Sequence, residues 1–429
     1  MAKIYAPNWR YDLLRYYVDW CCKTSYRRAE VVGLEHIPNE GAVVFAPNHC
    51  NTLMDALVVL RSRRSETVFG ARADVFQHPV LGKIMHFLRI LPVVRQRDGL
   101  RNVAKNYEMI QTVIETLEHG VPFCLFPEGK HWTKHSLQPF GKGLQRIVLG
   151  ANEVFGSSRP VYIVPVGLEY GDFFRFRSNS VISFGEPIHV TELLKSWGER
   201  SEAECSAEIA RLTAEGIARQ IIYLPADEQY DARWALLKAI TSHIHLRLSK
   251  LIRVRKEYLA EMLSKEEQNP EACSALYAEA LAFEQARQQA KISSGTFRGG
   301  AQLLPALGYA LLAVVLLPLV LLCGALSLPM WLLSVWLIPR LKDPAFHNTA
   351  RFALKLLLTP LLVLIWGILL FLYLPWWGAL VGLFLTLHAY DWLYDYKELL
   401  RRARSHWRLL FSPSLRRQHA ALVAKYRAL

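Results

Sequence analysis

Two long stretches without formal charge restrict this 429-residue chain more than any other feature. They run from Gly299 to Pro339 and from Leu356 to Tyr390, where His388 is the only group able to become positively charged. A single membrane helix needs about 20 apolar residues. Each run approaches twice that, which suits two short helices with a tip better than one upright span. Pro318, Gly324 and Pro329 in the first run, and Pro360, Gly367, Pro375, Gly378 and Gly382 in the second, are natural kink or tip residues. The charges around the runs agree with this. Arg340, Lys342, Arg351 and Lys355 lie between them against Asp343, and Lys397, Arg401, Arg402 and Arg404 follow. Single spans would put one basic flank on the wrong side of a membrane, whereas two hairpins keep all flanks cytoplasmic.

The formal net charge is +14. Nucleic acid, anionic lipid and phosphorylated substrates could each explain it. From Tyr396 to the end there are nine Lys/Arg against Glu398 alone, and a basic segment next to an apolar run reads as contact with lipid headgroups. No zinc-finger spacing, RNA-binding aromatic signature or zipper heptad points to nucleic acid. Seven scattered cysteines with no C-x-x-C suit a reducing compartment and argue against a thiolate metal site.

Tyr5 to Tyr26 mixes Arg10, Asp12, Arg15 and Asp19 with Leu13, Leu14, Tyr17 and Trp20, so it is not a secretory signal. It reads equally as an interfacial amphipathic helix and as a helix packed on the protein's own core. Strand signals follow at Ala29–Glu35, Ala42–Ala46, Thr67–Gly70, Ile90–Val94, Phe123–Phe126, Val161–Val166 and Val181–Ser183. Helical patterns at Leu53–Leu60, Asn102–Glu118 and Leu144–Val154 alternate with them. The expected fold class is α/β, a largely parallel sheet flanked by helices. After Ser201 the pattern is helical only, over Glu202–Leu224, Ala232–Leu263 and Glu271–Ala290. The expected order is an N-terminal amphipathic helix (1–28), an α/β domain (29–200), a helical region (201–298), a membrane module of two apolar hairpins (299–395) and a basic tail (396–429).

The chemistry concentrates in Pro47-Asn-His-Cys-Asn-Thr-Leu-Met-Asp-Ala, which follows a strand and opens a helix. A His and an Asp here can form a base with its orienter. Six positions apart on one helix they would diverge by about 120°. They meet only if His49 sits in the turn ahead of the helix, with Asn51 or Thr52 as N-cap. Phe123-Cys-Leu-Phe-Pro-Glu-Gly-Lys supplies a carboxylate and open backbone N–H groups at another strand end.

Together these stretches resemble the glycerolphosphate acyltransferase superfamily, the lysophosphatidate-acyltransferase-like proteins. The first block of that family is Asn-His followed by Asp, and the third is Phe-Pro-Glu-Gly. Leu91-Pro-Val-Val-Arg-Gln-Arg is similar to the second block, with Arg95 at the matching position, and Ile163-Val-Pro-Val-Gly to the fourth. All four occur in family order between Asn48 and Gly167. The chain departs from the common pattern in having five residues rather than four between His49 and Asp55, which leans toward glycerol-3-phosphate and dihydroxyacetone-phosphate acyltransferases. It also has Lys130-His131-Trp132 where Thr-Arg-Ser is usual.

The resemblance implies that His49 removes a proton from a glycerol hydroxyl while Asp55 holds it, and that the oxygen attacks an acyl thioester directly. No G-x-S-x-G elbow advertises a protein nucleophile. Asn48 belongs to the first block. Glu128 and Gly129 either hold the glycerol hydroxyls or shape an oxyanion site. Arg95, with Arg97, Lys130 or Lys142, binds phosphate. The expected partners are a phosphorylated glycerol acceptor, an acyl-CoA or acyl-carrier-protein donor and membrane lipids, with no cofactor, no metal and no nucleic acid. That makes a phospholipid-biosynthesis enzyme with its catalytic domain on the cytoplasmic face. Second acylation of lysophosphatidate, a non-catalytic membrane-binding or remodelling protein on the same fold, and a thioesterase-like hydrolase are the competing readings. His131 and His135, four apart, read as surface residues.

Overall fold

The β-branched runs are apolar on both faces, as strands must be when helices cover both sides of a parallel sheet. The computed structural model describes residues 3–63, 65–76, 79–93, 103–297 and 302–429. The chain divides into two compact units, Met1–Tyr223 with Asp343–Thr349, and Leu224–Lys342 with Ala350–Leu429.

In the first unit β1 (Arg28–Val32), β2 (Ala42–Pro47), β3 (Val68–Arg72), β4 (Ile90–Val93), β5 (Phe123–Cys124), β6 (Val161–Tyr170) and β7 (Asn179–Phe184) form a sheet of order β1-β7-β6-β2-β5-β3-β4. From β6 to β4 every neighbouring pair is parallel, and β7 joins β6 antiparallel. A short β8 (Ile188–His189) also pairs with β6. Two residues carry too little pattern to announce it in the sequence. The expected strand at Val161–Val166 runs on to Tyr170, because β7 continues to pair with it at Glu169 and Tyr170. That extension supplies a site residue.

The helices of this unit are α1 (Trp9–Thr24), α2 (Leu53–Ser62), α3 (Pro79–Phe87), α4 (Val103–Glu118), α5 (Gly143–Phe155), α6 (Val190–Trp197) and α7 (Glu202–Ala218). The core joins Val44, Phe123 and Ile163 of the strands to Val113 and Leu117 of α4, Ile147 and Val148 of α5, and Ile209 and Ile217 of α7. The unit therefore runs beyond residue 200, since the Ile209–Ile217 face of α7 covers the sheet. The approach is close, for a Cβ at Gly216 would stand 2.5 Å from Pro165 Cγ. Arg15 of α1 is 9% exposed and donates to the Leu60, Arg63 and Ser65 carbonyls. It thus satisfies the open end of α2, as a cation there should.

The second unit is helical. The pattern expected to be continuous over Ala232–Leu263 breaks between α8 (Tyr230–Ile240) and α9 (Leu248–Gln268), and α10 (Pro270–Gln289) follows. The first apolar run divides at Ser327 into α11 (Leu303–Leu326) and α12 (Leu328–Leu337). The second divides at Leu374-Pro375 into α13 (Phe346–Tyr373) and α14 (Trp376–Leu410), and α15 (Pro413–Ala428) closes the chain. Pro375 is a tip residue, whereas Pro318 and Pro360 lie inside helices. α11 and α13 are long and apolar enough to cross a membrane, yet only 17% and 11% of their most apolar stretches are buried. A core helix of a soluble protein hides most of its apolar surface, and these expose it. Lys355 and Asp391, each almost fully buried, pair at 2.6 Å between α13 and α14. Such a pair specifies how two apolar helices meet more than it stabilises them.

Candidate active site

The sheet order places the carboxyl ends of β6, β2 and β5 side by side, where open parallel sheets hold their ligands. β2 leads into Asn48 and His49, β5 into Phe126-Pro-Glu-Gly, and β6 ends at Leu168–Tyr170. Asn48 is buried and locks the first to the third: its Oδ1 accepts from Leu168 N at 2.7 Å and its Nδ2 donates to Leu168 O at 3.1 Å.

Helix α2 begins only at Leu53, so His49 lies in the turn before it. The two side chains can then meet, and His49 Nδ1 stands 2.8 Å from Asp55 Oδ2. Asp55 is fully buried in the first turn of α2, where a negative charge suits the helix end. Its Oδ2 also accepts from Cys50 N (2.8 Å) and Asn51 N (2.6 Å), and its Oδ1 accepts from Tyr170 OH at 2.7 Å. One carboxylate thus gathers the imidazole, two backbone amides of the turn and a phenol. Burial first, then the Asp55 charge, pushes the Tyr170 hydroxyl and the Cys50 thiol well above their ordinary values, so both stay protonated donors. Tyr170 carried no sequence signal, because the strand was expected to stop short of it.

Glu128 of the Pro-Glu-Gly turn is 7% exposed and faces the same turn from β5. Its Oε1 accepts from His49 N at 2.8 Å and its Oε2 from Gln138 N at 2.9 Å. Each oxygen keeps a second lone pair. The Phe126 ring lies 4.4 Å from the His49 ring, and Trp132 N donates to His49 O at 2.7 Å. Only 19% of the His49 side chain is open. Gly129 is exposed with φ +66°, and its N–H, expected from the sequence to be open, donates to Phe126 O at 3.1 Å inside the turn. Lys130 beside it and Lys142, ahead of α5, are exposed. Arg95 and Arg97 lie outside the described residues.

Burial, opposed by the two N–H bonds, raises the Glu128 carboxyl from 4.5 to about 7. The folded chain therefore holds this proton more tightly than the unfolded one. The resulting stability is complete below pH 4.5 and is lost as pH rises to about 7. The shift corresponds to about 3 kcal/mol. Glu128→Gln is expected to remove this part of the pH slope of thermal unfolding, while lowering stability in acid because its amide NH2 opposes one backbone N–H. A variant with the wild-type slope would assign the slope to another group.

His131 and His135 are not the pair of surface residues that their spacing suggests. His135 is buried with its Nδ1 3.3 Å from Glu169 Oε1, and Glu169 also accepts from Ile222 N. His131 is half-buried, its ring centroid 6.1 Å from that of His49 and its Nε2 2.8 Å from Asp343 Oδ2. Spacing alone could not separate these environments, since both partners are remote in sequence.

Residues 28–169 match the family model described as Acyltransferase, and that span holds every group just assembled around Asp55 except Tyr170, which follows it directly. The first unit carries an acyltransferase domain of the glycerolphosphate acyltransferase superfamily. Over 85 residues the chain is 36% identical to glycerol-3-phosphate O-acyltransferase 2 of Saccharomyces cerevisiae, and over 82 residues 34% identical to glycerol-3-phosphate O-acyltransferase 1 of the same yeast. These matches cover 20% and 19% of this chain, and the chain spans only 11% of the length of either relative. Among solved structures, the 1-acyl-sn-glycerophosphate (LPA) acyltransferase PlsC from Thermotoga maritima aligns over 49% of this chain and 78% of its own, with 20% identity and a TM-score of 0.35.

In this acyltransferase domain the family blocks become three walls around one imidazole. The first supplies the His49 turn, the third supplies Glu128 beneath it, and the strand that holds the fourth runs past Gly167 to supply the Leu168 backbone and Tyr170.

Proposed function

We propose that this chain is a membrane-bound O-acyltransferase that moves a fatty acyl group from an acyl thioester to a hydroxyl of glycerol 3-phosphate. The observation that carries the reading is the 2.8 Å bond between His49 Nδ1 and Asp55 Oδ2. With the Nδ1 proton donated to Asp55, the lone pair sits on Nε2, where it can accept a proton. Nε2 takes the hydroxyl proton as the oxygen attacks the thioester carbonyl. The tetrahedral adduct then collapses, the C–S bond breaks, and the proton passes from the imidazolium to the departing thiolate. Thiolate leaves well because its conjugate acid has a pKa of about 8.5, so no acyl-enzyme is required.

Glu128 holds the turn from below, and its spare lone pairs with the exposed Gly129 carbonyl can meet the remaining glycerol hydroxyl. Lys130, Lys142, Arg95 and Arg97 are assigned to the phosphate. The glycerol-3-phosphate reading draws on the two yeast relatives that bear that name. The exposed apolar faces of α11 and α13 and the basic segment after Tyr396 support membrane attachment. A cytoplasmic catalytic domain follows from the solubility of glycerol phosphates and acyl thioesters in the cytosol.

Purified full-length protein given labelled acyl-CoA or acyl-carrier protein should acylate glycerol 3-phosphate and leave glycerol untouched. Preference for lysophosphatidate would move the chain to the second acylation. Release of free fatty acid alone would overturn acyl transfer.

A further inference from the structure

The segment Asp343–Thr349 lies between the two apolar runs in sequence and yet belongs to the first unit. We infer that it is a working part of the acyltransferase site, with Thr349 and Asp343 as positioning residues for the His49 turn and for His131. The inference rests on the acyl-transfer reading above.

Three contacts carry it, one on each wall. The first is at Thr52, the residue between the amides that hold Asp55 and the start of α2. Thr52 has φ +48° and ψ −129°, a conformation that costs a β-branched residue about 1–3 kcal/mol and persists only when its surroundings impose it. Its hydroxyl makes no capping bond to α2. Instead Thr52 Oγ1 meets Thr349 Oγ1 at 2.7 Å and donates to Ala345 O at 3.3 Å, about 300 positions away in sequence. The bond that the N-cap position would ordinarily make is thus spent on this segment, at the one strained residue of the turn.

The second contact is at His131, just after the Pro-Glu-Gly turn. Asp343 Oδ2 holds its Nε2 at 2.8 Å, while Asp343 Oδ1 accepts from Ala345 N at 2.9 Å. The Ala345 N–H first, then His131, keeps the Asp343 carboxyl below its ordinary value. The His131 ring is fixed edge-on to His49 on one side and to Phe346 on the other, with centroids at 6.1 and 5.6 Å. The third contact is at the end of β6. Asn348 Nδ2 donates to Phe173 O at 2.8 Å, and the Phe173 ring lies 6.2 Å from that of Tyr170, the residue that holds Asp55 Oδ1.

A segment placed only for packing would not have to touch all three walls of one imidazole. This one restrains the strained turn and fixes the ring beside the base, so its removal should loosen chemistry before stability.

The test uses the full-length protein with Thr349→Val, which keeps shape and loses the hydroxyl, and Thr349→Ser, which keeps it. Hydrogen exchange of the 48–56 region and steady-state kinetics are read together. Loss of this half-buried hydrogen bond predicts for Thr349→Val exchange at Cys50 and Asn51 about tenfold faster and kcat about tenfold lower. Acceptor KM should stay within about twofold, and Ser should restore both values. Asp343→Ala, at a half-exposed position, is the second variant should Val not fold, and must move the same two readouts. Exchange or kcat that stays at the wild-type value in the folded variant overturns the inference. Should wild type transfer no acyl group, the acyl-transfer reading fails by itself, and the exchange measurement alone decides whether the segment holds the turn.

Discussion

His49→Ala is expected to lower the acyl-transfer rate by about 10²–10⁴-fold, the usual worth of a positioned general base. Expression and membrane association should be little changed. The side chain lies in a turn, 19% open, and ends no core cluster. Its backbone makes the bonds to Glu128 and Trp132, and those survive truncation at Cβ. The loss should appear in kcat and kcat/KM alike, since the proton moves only as the new bond forms. Added imidazole is expected to recover part of the rate, because a free base can occupy the space left behind. A variant within a few-fold of wild type would remove His49 from the mechanism.

How far the sequence reveals this arrangement depends on the range of each interaction. The His49–Asp55 pair could be read because both ends lie in one turn and the start of a helix, and the argument that His49 must precede that helix needs only helical geometry. The alternation of strands and helices is likewise local. Tyr170, Asp343 and Thr349 could not be read. A phenol at the end of a longer strand, and hydroxyl and carboxylate groups some 300 and 200 positions away, meet the site only through tertiary folding. Short elements fail for another reason. Two-residue β8 is defined by its partner and not by its own periodicity, and the break between α8 and α9 occurs where apolar spacing continues without a proline or glycine to mark it. Glu128 shows an intermediate case. Its motif announced a site carboxylate, but only the fold shows that both oxygens already receive backbone N–H groups.

The sharper test of mechanism is Asp55→Asn, because it separates the charge of Asp55 from its scaffolding. The carboxylate receives three donors on Oδ2, and on Oδ1 the Tyr170 hydroxyl with the Cys50 thiol at 3.7 Å. In Asn the amide oxygen can take the Oδ2 position and keep the His49, Cys50 and Asn51 bonds. The NH2 group then faces Tyr170, whose hydroxyl can turn to accept. The turn and the Nδ1–H tautomer should therefore survive, with thermal unfolding close to wild type. What disappears is the negative charge that stabilises imidazolium in the transition state. We expect kcat about 10²-fold lower, within the range of acid–base contributions, and acceptor KM nearly unchanged. Asp55→Ala, by contrast, strands two buried backbone amides and a phenol, and should lose stability as well as rate. Equal unfolding temperatures for the Asn and Ala variants would show that Asp55 does not brace the turn. A kcat within a few-fold of wild type in the Asn variant would show that the Asp55 charge does not act through His49.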